Sequence, residues 1–74
     1  MTEEELRLAL GASIRAHREA IGVSQEAFAD SIKMHRAYYS SIERGEKNLT
    51  IQTLKRVTEG LGILIESLLK DTGI

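Results

Sequence analysis

The 74-residue chain contains no cysteine and no proline, two histidines far apart, and no long apolar run. Without cysteine there is no disulfide, and without a His/Cys cluster at ligand spacing there is no zinc site to stiffen the fold. A chain this short lies near the lower limit at which one hydrophobic core holds, so helix packing or self-association has to supply the stability. No charged-then-apolar leader and no membrane-length segment is visible, which predicts a soluble cytoplasmic protein with no membrane partner. The last apolar segment also lacks the Lys/Arg-rich polar face that a membrane surface would need. Catalysis is equally poorly provided for: no phosphate-cradling glycine loop and no nucleophile–base pair can be found, so no enzymatic activity, cofactor, metal or small-molecule ligand is expected.

Apolar spacing predicts five helices, with no strand pattern, repeat or linker. Thr2 with Glu5 forms a capping-box pattern for a first helix reaching Ile21, with Leu6, Ala9 or Leu10, Ile14 and Ile21 at helical spacing and Gly22 as its end. Ser24 is a good N-cap, and Gln25-Glu26 put an amide and a negative charge in the next first turn, where orphan N–H groups favour them. Phe28, Ala29 and Ile32 then share a stripe, and a further run from His35 turns Tyr39 and Ile42 inward until Gly45 closes it. Thr50 caps a fourth helix with Ile51, Leu54, Val57 and Leu61 inward, which Gly60 and Gly62 weaken and break, and Ile63–Lys70 supports a fifth. Short connections throughout make residues 1–74 one compact all-α unit.

Residues 24–45 therefore read as two short helices joined at a tight corner. On the second, Arg36, Ala37, Ser40, Ser41 and Arg44 fall within an arc of roughly 140° opposite Tyr39 and Ile42. That face has no acid of its own, and a polar, cationic outer face of this kind suits the reading of DNA. Charge placement supports it. Net charge is only −1, but Lys33 to Arg56 holds six cations against Glu43 and Glu46, a net +4, leaving −5 for the rest. The local field governs contact with phosphate, so a basic patch on an acidic body orients the molecule while keeping non-specific affinity modest.

Residues 10–69 resemble the phage-repressor-like helix-turn-helix family of the xenobiotic-response-element type, through the stretches IRAHREAIGVSQEAFA, YYSSIERGEKNLT and TLKRVTEGLGI in the family's order and spacing. HRAYYSSIERGEKNLTI is similar in particular to the controller proteins of restriction-modification systems, single-domain dimers that regulate their own operon. The resemblance implies a five-helix domain with a supporting helix at about 25–32 and a recognition helix at about 35–44, binding double-stranded DNA as a transcriptional regulator in a bacterial or phage-type, nucleoid-associated setting. It implies that Arg36, flanked by His35 and Ala37, reads a base. An arginine fork donates to guanine O6 and N7, worth about 1–3 kcal/mol of discrimination, and the alternative is a phosphate contact that adds affinity without specificity. Ala37 offers a methyl to thymine or is a small bystander. Tyr38 reads DNA shape at a deformable step or is a plain surface tyrosine. Gln25 matches the family's backbone-contacting glutamine, with Ser40, Ser41, Arg44, Lys47 and Asn48 as the outer rim and Ser41 the one of these expected to reach a base. Arg18 and Glu43 match a structural ion pair between the first helix and the end of the recognition helix.

Five residues depart from the family pattern. Lys33 stands at the corner where relatives usually have glycine, and a left-handed backbone there costs about 1–2 kcal/mol, so the corner is either strained or shaped differently. His17 replaces a usual leucine and reads as a partly buried core histidine. Tyr39 stands where isoleucine is commoner, placing a hydroxyl at the core edge, and Met34-His35 is a poor N-cap. The last segment is richer in apolar residues than one helix face needs. Ile63 and Leu68 suffice for the core, leaving Leu64, Ile65 and Leu69 for a homodimer that would set two recognition helices about 34 Å apart on a palindromic operator. The alternative is a wide stripe buried within one domain. The rival function is an antitoxin-like or adaptor module that docks the same helices on another protein. Asn48-Leu49-Thr50 fits a glycosylation acceptor, which a cytosolic protein does not use.

Overall fold

The computed structural model describes residues 1–73, and the described residues form five helices and no strand. These are α1 (Glu3–Ala20), α2 (Gln25–Ser31), α3 (Arg36–Glu43), α4 (Ile51–Leu61) and α5 (Ile65–Lys70). Their starts follow local chemistry. At α1 the Thr2 N–H donates to Glu5 Oε1 at 2.9 Å while the Glu5 N–H donates to Thr2 Oγ1 at 3.1 Å, a complete capping box. Ser24 Oγ accepts from the Ala27 N–H, and Thr50 Oγ1 from the Thr53 N–H, each at 3.1 Å. His35, by contrast, caps α3 with no side-chain hydrogen bond.

The core is Leu10, Ile14, Phe28, Ala29, Met34, Tyr39, Ile42, Val57, Leu61 and Leu68. Phe28 and Tyr39 pack at its centre as a tilted ring pair, centroids 5.1 Å apart. Two glycines let helices approach more closely than any side chain would permit. A Cβ on Gly11 would lie 2.5 Å from the Glu43 carbonyl oxygen, so α1 rests directly on the end of α3. A Cβ on Gly60 would lie 2.4 Å from Ile32 Cγ2, and this contact of α4 with the end of α2 corrects the expectation that Gly60 breaks the fourth helix. The break comes at Gly62, whose φ of 72° is left-handed.

Other expectations are corrected as well. Ile21 is 50 % exposed and Ile51 77 % exposed, although both keep the apolar period. Ile21 is the C-cap of α1 and Ile51 the first residue of α4, and at a helix end no neighbouring turn is left to cover the side chain. The fifth helix begins at Ile65 rather than Ile63, with Leu64 as an N-cap that makes no side-chain hydrogen bond.

The corner between α2 and α3 is left-handed at Lys33, with φ 57°. Met34 N–H closes back onto the Ala29 carbonyl at 2.9 Å, and Arg56 from α4 donates through Nη2 to the Ile32 and Lys33 carbonyls, both at 2.6 Å. Arg56 thus covers carbonyls that the end of α2 leaves without helical partners, and it offsets the backbone cost of a lysine where a glycine would sit freely. Counted from sequence as part of the basic patch, Arg56 acts as a strut of the corner.

Candidate nucleic-acid interface

The corner sets α2 and α3 at the surface with a shallow groove between them, lined by Gln25, Arg36, Ala37, Ser40 and Arg44. His35, Arg36 and Ala37 are exposed at the start of α3, and Tyr38 is exposed beside them. Ser40 is half-buried, its Oγ accepting from Arg44 Nη1 at 2.6 Å. Lys47 and Asn48 lie beyond the helix in the exposed α3–α4 loop, where Asn48 Oδ1 accepts from Arg7 Nη1 at 3.2 Å. The structure therefore lines up Arg36, Ala37, Ser40 and Arg44 along one outward face, with His35 exposed just before the helix, Tyr38 exposed on another side of it, and Lys47 and Asn48 following in the chain.

Two residues expected on this face are elsewhere. Ser41 is only 5 % exposed, and its Oγ donates to the Tyr38 carbonyl at 2.6 Å, so it lines the interior and has no route to a base. An arc of about 140° places the edge of a helical face no better than one residue, and Ser41 lies on the wrong side of that edge. The Gln25 side chain turns inward, donating through Nε2 to Glu43 Oε1 at 2.8 Å. Its backbone stays at the start of α2, but the amide is held by the scaffold.

Glu43 is the centre of that scaffold. Arg18 Nε donates to Glu43 Oε2 at 2.6 Å and Arg18 Nη2 to Glu43 Oε1 at 3.2 Å, while Arg18 Nη1 holds the Val23 carbonyl at 2.7 Å. The Tyr39 hydroxyl donates to Glu43 Oε2. Arg18 and Glu43 are 7 % and 8 % exposed, a buried charge pair whose carboxylate is saturated by donors from α1, α2 and α3. Burial pushes the Glu43 carboxyl up, but hydrogen bonds from Arg18, Tyr39 and Gln25 outweigh it and hold the group below the usual carboxylate range. Burial, reinforced by the adjoining carboxylate, pushes the Tyr39 phenol far up, so it stays a neutral donor. The contribution of Tyr39 was open to sequence reasoning, since Tyr39 and Glu43 stand four apart on one helix. That of Gln25, eighteen residues from its partner, was not.

Acids also reach the outward face from neighbouring elements. Arg36 Nη1 lies 3.9 Å from Glu26 Oε2 of α2, and Arg44 makes a two-point contact with Glu46, Nε to Oε2 at 2.9 Å and Nη2 to Oε1 at 3.1 Å. The outer face of α3 is itself free of acid, but the assembled surface is not.

At the opposite end, Leu64 is 65 % exposed and Ile65 half-buried. Leu69 departs from the expectation that it is left for a partner: it packs half-buried against the protein's own core, beside Leu6, Leu49 and Leu54. His17 is half-buried, its Nε2 2.9 Å from Asp71 Oδ2, and Ser13 Oγ donates to the same carboxylate oxygen at 3.3 Å and to the Leu68 carbonyl at 3.2 Å. Serine and histidine here both address the aspartate instead of each other, tying the end of α5 to α1. Among the described residues no group of acidic, His or Cys side chains is arranged to hold a metal, and no helix is long and apolar enough to cross a membrane.

With this geometry in place, the comparison with known proteins is direct. A family model described as helix-turn-helix matches residues 14–68. The chain belongs to the helix-turn-helix family. Among curated proteins it is similar to the control protein C.MunI of Mycoplasma sp, 40% identical over 57 residues that cover 77% of each chain. Among solved structures it is similar to the clp gene regulator ClgR of C. glutamicum, with a TM-score of 0.87, 32% identity, and coverage of 92% of this chain and 88% of that one. It is also similar to the restriction-modification controller protein C.Esp1396I, solved as a tetramer in complex with its natural 35 base-pair operator, with a TM-score of 0.81, 32% identity and coverage of 93% and 96%. The family match takes in α2, the corner, α3 and α4 entire, together with the last part of α1 and the first part of α5.

Proposed function

We propose that this protein is a sequence-specific double-stranded DNA-binding regulator of transcription, of the controller type found in restriction-modification systems, acting in the cytoplasm on nucleoid DNA as a homodimer on a palindromic operator. The observation that carries this reading is the exposed start of α3, where Arg36 and its small neighbour Ala37 face outward while Tyr39 and Ile42 are buried. A helix presented this way enters the major groove N-terminus first, which sets the Arg36 fork against guanine O6 and N7. His35 and Ala37 flank the base contact, and Tyr38 reads the shape of a neighbouring step. Arg44, Lys47 and Asn48, with Ser40 orienting Arg44, meet the sugar-phosphate backbone and fix register. Exposed Leu64 with half-buried Ile65 forms the apolar part of the subunit contact. Controller proteins among the relatives, and one such protein solved on its operator, support both DNA and self-association as partners. No step of this function requires catalysis or a cofactor.

The test is selection of bound fragments from a pool of random duplexes, run with the wild type and with Arg36→Ala. The wild type is expected to enrich a two-fold symmetric site. R36A is expected to keep the wild-type melting temperature, because Arg36 is exposed, and to lose about 1–3 kcal/mol of binding to the enriched site while relaxing the sequence at one position in each half. Unchanged affinity of R36A for that site would overturn the assignment and favour the adaptor alternative.

A further inference from the structure

Both arginines of the outward face already stand against a carboxylate. Arg36 lies 3.9 Å from Glu26, and Arg44 is gripped by Glu46 through two bonds at 2.9 and 3.1 Å. The four side chains are wide open to solvent, at 66 % and 70 % in the first pair and 55 % in both members of the second. Fold stability does not account for them, since ion pairs this exposed contribute little to it. Their position does invite an account: Glu26 comes from the supporting helix and Glu46 from the loop beyond α3, so two separate elements each deliver one acid to the surface proposed to meet a polyanion.

We infer that Glu26 and Glu46 are built-in counter-ions that set specificity, holding down the affinity of this face for DNA in general. The inference rests on the DNA-binding reading above. An arginine that reaches a phosphate from bulk solvent displaces about one condensed counterion and gains the corresponding salt-dependent free energy. One that must leave a carboxylate, or carry that carboxylate toward the phosphates with it, gains much less. On a random duplex both Arg36 and Arg44 have only phosphates to meet, so both acids count against binding. On the operator Arg36 sits on a guanine edge, a partner defined by directed hydrogen bonds, and Glu26 lies further from the phosphate row than it would in a phosphate contact. Glu26 therefore widens the gap between operator and random duplex, whereas Glu46, beside an arginine that meets phosphate in both cases, lowers the electrostatic part of each. A net charge of −1 on a DNA-reading chain fits this arrangement.

The experiment measures binding of the full chain to its selected operator fragment and to a random duplex of equal length over a series of salt concentrations, for the wild type, E26Q, E46Q and E19Q. E19Q makes the same change of charge in the exposed Arg15–Glu19 pair of α1 and serves as the control. E26Q and E46Q are each expected to tighten binding to the random duplex several-fold and to steepen the logarithmic salt dependence by about one unit. E26Q should also reduce the operator-to-random ratio several-fold, with E46Q leaving that ratio nearly unchanged. Melting temperatures should match the wild type in all three variants. If E26Q and E46Q behave like E19Q while the wild type still selects an operator, the counter-ion role is wrong and the DNA-binding reading stands. If the wild type selects no duplex at all, both are overturned.

Discussion

Arg18–Glu43 and Arg44–Glu46 are the same two functional groups in the same two-point geometry, placed in opposite surroundings. The first pair is almost wholly enclosed, with side chains 9 % and 2 % exposed, and its carboxylate also takes hydrogen bonds from Gln25 and Tyr39. The second is open to solvent at 55 % on both sides. Inside, desolvation makes each charge depend on the other, so the pair acts as a joint locking α1, α2 and α3 into one angle. Outside, water screens the attraction, and the pair matters only when a third charged group arrives. Burial, more than the bond itself, separates a structural ion pair from a functional one.

Removing Glu43 tests the inner half most severely. Glu43→Ala leaves the Arg18 guanidinium buried without its anion, at an expected cost of about 3–5 kcal/mol. A single core of this size holds a margin of about that magnitude, so far-ultraviolet circular dichroism should show E43A largely unfolded at 25 °C. Glu46→Ala, the matched change outside, should melt with the wild type. A variant E43A as stable as the wild type would mean that the joint contributes nothing.

Acid offers a milder version of the same challenge. The folded-state pKa of Glu43 is depressed, so its contribution is complete above the unfolded carboxylate value of about 4.3 and is lost as pH falls through the lower folded value. The urea midpoint of the wild type should therefore drop as pH is taken below about 4.3. Glu43→Gln, less stable at neutral pH, should show a shallower drop over that window. Equal slopes would assign the acid sensitivity to other carboxylates.

The smallest effect belongs to the corner that both halves depend on. Lys33 is held at φ 57° with Arg56 bridging the carbonyls around it. Lys33→Gly should relieve about 1 kcal/mol of backbone strain and raise the urea midpoint. A lower midpoint would show that glycine's extra freedom in the unfolded chain outweighs the relief.

Helix starts were legible because their chemistry is local. Thr2 with Glu5, Ser24 and Thr50 each bond an N–H three residues ahead, and such a pattern can be read in any window of the chain. The outward placement of Arg36 and the burial of Tyr39 and Ile42 followed from helical period alone. Period failed where geometry outside the helix decides. Ile51 satisfies the stripe yet is exposed at the first position of α4, and Ser41, inside the outward arc by period, is buried. Side chains with long reach were the least legible: Gln25 could address a phosphate or Glu43, and Arg56 a phosphate or two carbonyls, with nothing in the neighbouring residues to choose between them.

The order of residues by itself determined five helices, three of them with capped starts, a buried stripe on each of the longer ones and a cationic face on α3, since these depend on groups within a turn or two of one another. Tertiary structure alone decided which polar side chains were free to meet a ligand. That choice depends on how closely α1 packs on α3 and α4 on the end of α2, on the bare surfaces of Gly11 and Gly60 that permit those two approaches, and on the donors that then crowd around Glu43. A flexible side chain bonds whichever partner packing brings within about 3 Å, and no one-dimensional pattern records that distance.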